Sequence, residues 1–505
     1  MKKLLTLFTT IALLFTSAVT GYASAHTSSS ADLQKTVKLA FSNLIKSPSA
    51  LAAAIVFCVA VLLILIFSKK LRKVLNNSSA SAMTNTFIVF FSVFGIATLA
   101  MAFSSDGETW SNLMHHSPTS EVPFTQFEFY LKNLLNAGSQ QFHLSAETTS
   151  PFLMLVFFIL AQFMPPRYIF SDSLVEYILI LRNQQFMFLY LLLAVFIVVL
   201  IYRMNRYVLR RNSLNIRDEV VSFLLVVSYP AIFCIEKGDF VAISLVLSML
   251  FIVFRQSEKT LFRELSLVAL AVSAAITPCT IIFALLLFTD KNKKSLACFA
   301  RTVIYFLILF ITPAIFTGFD NLLTYLRAYI SVNANGYIAG NTSIVNLIHY
   351  LGITNSIAVY AIFIITQLIA VFAMIKLPHT WQKATAAAYF MLNIFSVSDA
   401  AIAIFIFIPF VFLLAEKKHT AINWVYLGTY ALIITPFPEW FRYDSHRFTL
   451  FLTSLGVDTV YNANNLISLA AVQLLLILLI CQSISAVVKS AKEKKIPAQA
   501  TEAAS

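Results

Sequence analysis

Charge is scarce in this chain. Asp, Glu, Lys and Arg make up 12% of its 505 residues, against 59% hydrophobic ones. A soluble domain carries about 25% charged and roughly 45–50% apolar residues. So much apolar surface cannot be hidden inside a globule of this size, which excludes a water-soluble fold and makes lipid the solvent. Cysteine is scarce too. Cys58, Cys234, Cys279, Cys298 and Cys481 lie in or beside apolar segments with no CxxC. That pattern argues against disulfides and metal ligation and reads as small apolar core residues. A Walker loop, an HExxH and a convincing Ser-His-Asp set are also missing.

What is present is arranged for a membrane. The formal net charge of +13 sits in short basic runs between apolar segments, which is how a membrane protein fixes its orientation, and this argues against nucleic acid as a partner. A spanning helix needs about 20 residues. Segments 50–67, 86–103, 186–202, 219–235, 240–254, 302–318, 356–375, 421–436 and 465–487 qualify, several near the short limit. At the N-terminus, Met1-Lys2-Lys3, apolar Leu4 to Thr20 and Ala23-Ser24-Ala25 make 1–25 either a removed signal peptide or a first membrane helix. Both put His26 onward outside.

The basic runs set the path. Lys69 to Lys73, Arg203 to Arg211, Arg255 to Arg263, Lys291 to Arg301, Lys417-Lys418 and the tail 489–505 all fall on the cytoplasmic side. The stretch 265–288 must then enter and leave from that side, as a hairpin of two short helices broken at Thr277-Pro278. The stretch 384–415 does the same, turning near Ser396 to Asp399. Broken helices at membrane depth survive where protein or a watery cavity satisfies their backbone groups. The fold class is therefore all-α, a polytopic transmembrane protein with about 11–13 membrane segments, including two short hairpins. One domain spans 26–488, with outer loops at 104–185, 319–355 and 437–464, and no internal repeat is evident. In the first loop, Phe127 to Leu135 has helical apolar spacing suited to the bilayer surface.

Four places hold groups that can do chemistry, each with a plainer reading beside it. Asp106 and Glu108, just past the segment 86–103, can take a proton from a hydroxyl or hold a divalent metal ion, and equally read as a solvated pair at a loop start. Glu236-Lys237-Gly238-Asp239 is a tight outer turn in which Gly permits the bend; its charges either mark the interface or meet a phosphate or sugar. Asn341 to Asn346 reads as a polar turn capping a helix that starts near Ser343, flanked by Arg327 and His349, which are interfacial or serve a phosphate. Glu439 to Arg447 packs aromatics, carboxylates, Arg442 and Arg447 together, either as an aromatic belt with snorkelling cations or as an arginine pair facing a lipid phosphate.

Taken in order, these turns resemble those of the multi-spanning glycosyltransferases of family 87, which have a C-type membrane fold. The stretches that carry the resemblance are Glu236 to Val241, Arg263 to Pro278, Phe316 to Phe319, Asn341 to Asn346 and, upstream, Thr149 to Leu153. The resemblance implies an enzyme of the bacterial inner membrane that takes a sugar from a polyprenyl-phosphate carrier and passes it to an extracytoplasmic glycan or lipid acceptor. It carries the acid of the first outer loop onto Asp106 or Glu108. Arg327, Arg442 and Arg447 would then face the phosphate, with Asp239 and Lys237 at the sugar. The chain departs from the family pattern at Thr109, at Thr277 where the family has Lys, at Asp239 where it has Asn, and around Ser398-Asp399, where an expected Tyr is missing. These departures motivate a second expectation, a non-catalytic subunit that binds lipid-linked glycan or supports envelope assembly. A transporter is a third, since discontinuous helices also build transport sites.

Overall fold

The computed structural model describes residues 82–92, 150–161, 184–209, 216–290, 295–330, 341–350, 356–396, 401–416, 419–434 and 463–502. The expected segments at 1–25 and 50–67, most of 86–103 and most of the first and last outer loops lie outside them. Among the described residues every regular element is helical. In chain order these are α1 (Ala82–Ser92), α2 (Pro151–Ala161), α3 (Gln184–Leu209), α4 (Ile216–Val226), α5 (Tyr229–Lys237), α6 (Val241–Phe254), α7 (Thr260–Ile276), α8 (Leu286–Thr289), α9 (Ser295–Thr317), α10 (Phe319–Ile330), α11 (Ile344–Tyr350), α12 (Ser356–Lys376), α13 (Thr380–Leu392), α14 (Phe407–Leu414), α15 (Ala421–Ile434) and α16 (Ala463–Glu502). Short 3₁₀ stretches at Pro278–Leu285 and Ile402–Ile406 lead into α8 and α14.

Among the described residues four helices are long and apolar enough to cross a membrane, within α3, α9, α12 and α16, or five if α4 and α5 together form one span. These long helices turn apolar side chains outward, among them Phe196, Ile308, Ile364 and Leu368. Such exposure is costly in water and neutral in lipid. The expected single span 219–235 is instead two helices meeting at 51°. Pro230 sits in the first turn of α5, and the Ser228 hydroxyl donates to the Leu225 carbonyl. Proline cannot supply the N–H that would continue the preceding helix, so the chain bends there.

Both expected hairpins are present in element order, although residues 397–400 of the second one's turn lie outside the described residues. The first breaks at Thr277, whose extended backbone precedes Pro278, because a residue before proline is pushed out of the helical region. Its returning limb begins as a 3₁₀ helix. The second runs up α13, ends at Asn393 and returns through Ile402–Ile406 and α14. That returning limb is the centre of the core: Ile404, Phe405, Phe407, Ile408, Phe410 and Val411 are fully buried. The helix is apolar all round and is enclosed by its neighbours. Phe410 meets Phe87 of α1 edge-on at 4.5 Å, and Phe405 approaches Phe283 of the first hairpin.

The element order repeats although the residues do not. A descending helix, a helix–break–3₁₀–helix hairpin and an ascending helix occur over Val241–Thr317 and again over Ser356–Ile434. In the first copy, α6 and α7 pack closely through small hydroxyl residues. Ser244 Oγ bonds Thr277 Oγ1 at 2.9 Å, Ser248 Oγ bonds Ser273 Oγ at 2.9 Å, and Ser273 also donates to the Ser244 carbonyl. Small side chains let the backbones approach, and each hydroxyl finds a partner that lipid cannot provide.

Candidate functional site

The helix directions separate two faces. On one stand the turns after α3, α6, α8, α12 and α14, tied by charge. Arg206 and the Tyr202 hydroxyl meet Glu219. Arg255 Nε reaches Asp290 Oδ2 at 3.2 Å, while Gln256 donates to the other Asp290 oxygen at 2.6 Å. Arg301 pairs with Glu264, and His379 Nδ1 lies 3.3 Å from Glu416 Oε1. Tyr207 and Phe254 pack at 5.8 Å, joining the ends of α3 and α6. Each hairpin is thus closed at its base by an acid held from a neighbouring turn, Asp290 by the Arg255 guanidinium and Glu416 by the His379 imidazole. Glu416 also holds the His379 imidazole above its ordinary range, whereas burial lowers that of nearby His419, whose ring nitrogens have no hydrogen-bond partner.

The opposite face gathers the hairpin breaks and the outer turns. The turn 236–239 is a C-terminal cap of Schellman type. Gly238 at φ 67° donates to the Ile235 carbonyl, and the Asp239 N–H donates to that of Cys234 at 2.8 Å. Asp239 Oδ1 then accepts the Val241 N–H at 3.0 Å and starts α6. One Asp239 oxygen therefore has a local structural job. The side chain of Lys237 lies outside the described residues. Beside this turn, Leu193, Ala194 and Ile197 of α3 line a shallow apolar crevice with Cys234 and Phe240.

The polar turn 341–346 caps a helix as expected. The Ser343 hydroxyl accepts the Asn346 N–H at 3.2 Å, and Asn341 Oδ1 accepts both the N–H and the hydroxyl of Ser343. The turn is also bound to the second hairpin. Asn341 Nδ2 donates to the Phe395 carbonyl at 2.6 Å. Asn393 Oδ1 accepts the Ile344 N–H at 2.7 Å, and its Nδ2 donates to Thr366 Oγ1 at 2.8 Å. Gln473 of α16 donates to the Thr342 carbonyl at 3.1 Å. Asn341, Ser343, Asn346 and Asn393 are all buried. The knot joins the turn to α12, to the second hairpin and to α16, and sequence reading found only its local half.

Arg327 stands in the last turn of α10, exposed. Two residues on, Tyr329 touches both hairpin tips. Its hydroxyl accepts the Cys279 N–H at 2.8 Å, and its carbonyl accepts the Ser396 hydroxyl. His349 of α11 sits edge-on to Phe395 at 6.1 Å. Arg327 and His349 therefore ride on elements that converge on residues 395–396. Asp106, Glu108, Arg442 and Arg447 lie outside the described residues. Among the described residues no three His, Cys, Asp or Glu side chains are close enough to hold a metal ion. No family model, curated protein or solved structure matches the chain.

Proposed function

We propose that this chain is a multi-pass membrane glycosyltransferase, moving a hexose or pentose from a polyprenyl-phosphate carrier to an acceptor on the face opposite the basic turns. The observation that carries this reading is convergence. The turn at Asp239, the hairpin breaks, the capped turn at Ser343 and the helix bearing Arg327 all stand at one end of the bundle. Of these, the turn Glu236 to Val241, the first break within Arg263 to Pro278 and the turn Asn341 to Asn346 belong to the stretches that resemble family 87. Displacement at the sugar carbon needs a base beside the acceptor hydroxyl and cations beside the leaving phosphate. Asp106 or Glu108 serves as the base, alone or through a divalent metal ion. Arg327, Arg442 and Arg447 hold the phosphate, and Asp239 with Lys237 meets the sugar.

A second reading is a lipid-glycan-binding or envelope-assembly subunit without catalysis. It is favoured by the commitment of Asp239 Oδ1 and of the asparagines at 341 and 346 to backbone hydrogen bonds. Deleting the gene and comparing envelope sugar composition separates the two. The transferase reading expects a sugar lost on deletion and restored by the wild type, but not by Asp106→Asn/Glu108→Gln protein accumulating to the same level. Full restoration by that double variant would overturn it in favour of the subunit.

A further inference from the structure

The two copies of the element order close their hairpins with different chemistry. At the base of the first stand Arg255 and Asp290; at the same place in the second stand His379 and Glu416. A guanidinium keeps its charge at every physiological pH, so the first closure is permanent. An imidazole changes charge near pH 6.5, so the second is not.

Two histidines compete for that one acid. His379 is the N-cap residue of α13, and its half-exposed ring places Nδ1 3.3 Å from Glu416 Oε1. His419 follows Glu416 by three residues and is 1% exposed, and neither of its ring nitrogens has a hydrogen-bond partner among the described residues. Lys417 and Lys418, between them in the chain, have side chains outside the described residues. The charge that acts on both imidazoles is Glu416. The neighbouring elements bring Lys376 of α12, Lys383 of α13, Arg206 of α3, Tyr426 of α15 and Cys481 of α16. Of these, Lys383 responds to Arg255 and Asp290, and Arg206 is held by Glu219.

The hydrogen bond with Glu416 keeps a proton on His379 above the ring's ordinary range. That proton also stands at the positive end of the α13 dipole, where a cation is unfavourable without the carboxylate beside it. Burial opposes a proton on His419, because a buried charge needs a partner. Glu416 is the acid within reach, and it is already engaged. We propose that Glu416 is a pH-operated pivot, which ties the base of the second hairpin to His379 near neutrality and swings to His419 when acid reaches that ring, releasing the start of α13. The far end of α13 stays fixed, where Asn393 bonds Ile344 and Thr366. The pivot does not depend on the transferase reading.

Full-length protein carrying carbon-13 at histidine Cε1 would be titrated in neutral detergent from about pH 8 to about pH 5, with resonances assigned by substitution. His379 should titrate above pH 6.5 and shift again in the step in which His419 takes up its proton. In that same step, amide exchange in the first turn of α13, corrected for its intrinsic pH dependence, should quicken about threefold, while the turn after α8 stays constant. His419→Leu should erase both the second shift and the quickening. His379→Gln should raise the His419 titration, because it frees Glu416, and Glu416→Gln should lower it. No second shift in the wild type, one that survives in His419→Leu, or a His419 titration unmoved in His379→Gln would overturn the pivot. A second shift without faster exchange would overturn the release. Should His419→Leu fail to fold, His379→Gln and Glu416→Gln, which alter groups open to solvent, decide the matter between them.

Discussion

Arg255 and Asp290 form an ion pair whose side chains are 6% and 7% exposed, closing the base of the first hairpin 35 residues apart in sequence. Lys383 of α13 stands near enough for both charges to act on it, so the pair also faces the second hairpin. Breaking a buried pair leaves one charge uncompensated, at a cost of about 3–5 kcal/mol, whereas replacing both partners by apolar residues is often close to neutral. Asp290→Asn should therefore lower the thermal midpoint in detergent sharply. Arg255→Met/Asp290→Met should recover most of the loss. A double variant worse than the single would show that the pair contributes net stability.

The asparagine knot makes a separate prediction. Asn393→Leu keeps approximate volume but strips the Ile344 N–H of its acceptor and Thr366 of a donor. An unpaired buried polar group costs about 1–3 kcal/mol. Thr366→Val, which removes only the outer partner, should cost less. Thermal unfolding of both variants checks the order.

Close packing of α6 on α7 depends on Ser273, which is fully buried and bonded to Ser248, Ser244 and Thr280. Ser273→Ala should cost about 0.5–1.5 kcal/mol for lost hydrogen bonds. Ser273→Leu should cost more, because overpacking forces the two backbones apart. Equal losses for the two would mean that the hydroxyl, and not the spacing, matters there.

Two histidines at the basic turns give opposite pH dependences. Glu416 raises the His379 imidazole, so its contribution is fully present below about pH 6.5 and is lost as pH rises through the raised value. That histidine is 54% exposed, and the effect is small and weakened by salt. Burial lowers His419, so its neutral form stabilises above about pH 6.5, and that stability is lost as pH falls through the lowered value. His419→Leu should flatten the acid limb of the thermal-midpoint profile. Glu416→Gln should flatten the region just above pH 6.5 and, because Glu416 also acts on His419 against burial, steepen the acid limb.

What could be read from the sequence was local. Thr277-Pro278 announces a break because proline acts on its immediate neighbour, and Gly238 announces a cap because its backbone alone tolerates the left-handed conformation. Ser343 was legible as a cap for the same reason: its partner, Asn346, is three residues away. The basic runs pointed to both hairpins because charged turns that share one face require the chain between them to fold back. Beyond local reach the reading failed. Asn393 looks like one amide in an apolar run until Ile344 is brought to it from 49 positions away. Tyr329 has no feature that names Cys279 or Ser396 as partners. The repeat of Val241–Thr317 in Ser356–Ile434 is one of element order, and residue comparison does not detect order. The bend at Ser228 was missed because 219–235 is apolar enough to pass as one span, although Pro230 was in plain view.

Both hairpins leave from and return to the face of the basic turns, and this bears on how the protein is made. If that face is the side of synthesis, as the basic runs imply, a segment that starts and finishes there carries no soluble chain across the bilayer. The fully enclosed limb Ile402–Leu414 then needs no translocation step of its own. It packs on α3, α13 and α15, with α5 and α6 against its 3₁₀ start, and can slide in sideways once these stand around it. Biogenesis of this chain would thus divide in two: long helices threaded by the insertion machinery, and a core that assembles afterwards from within the membrane.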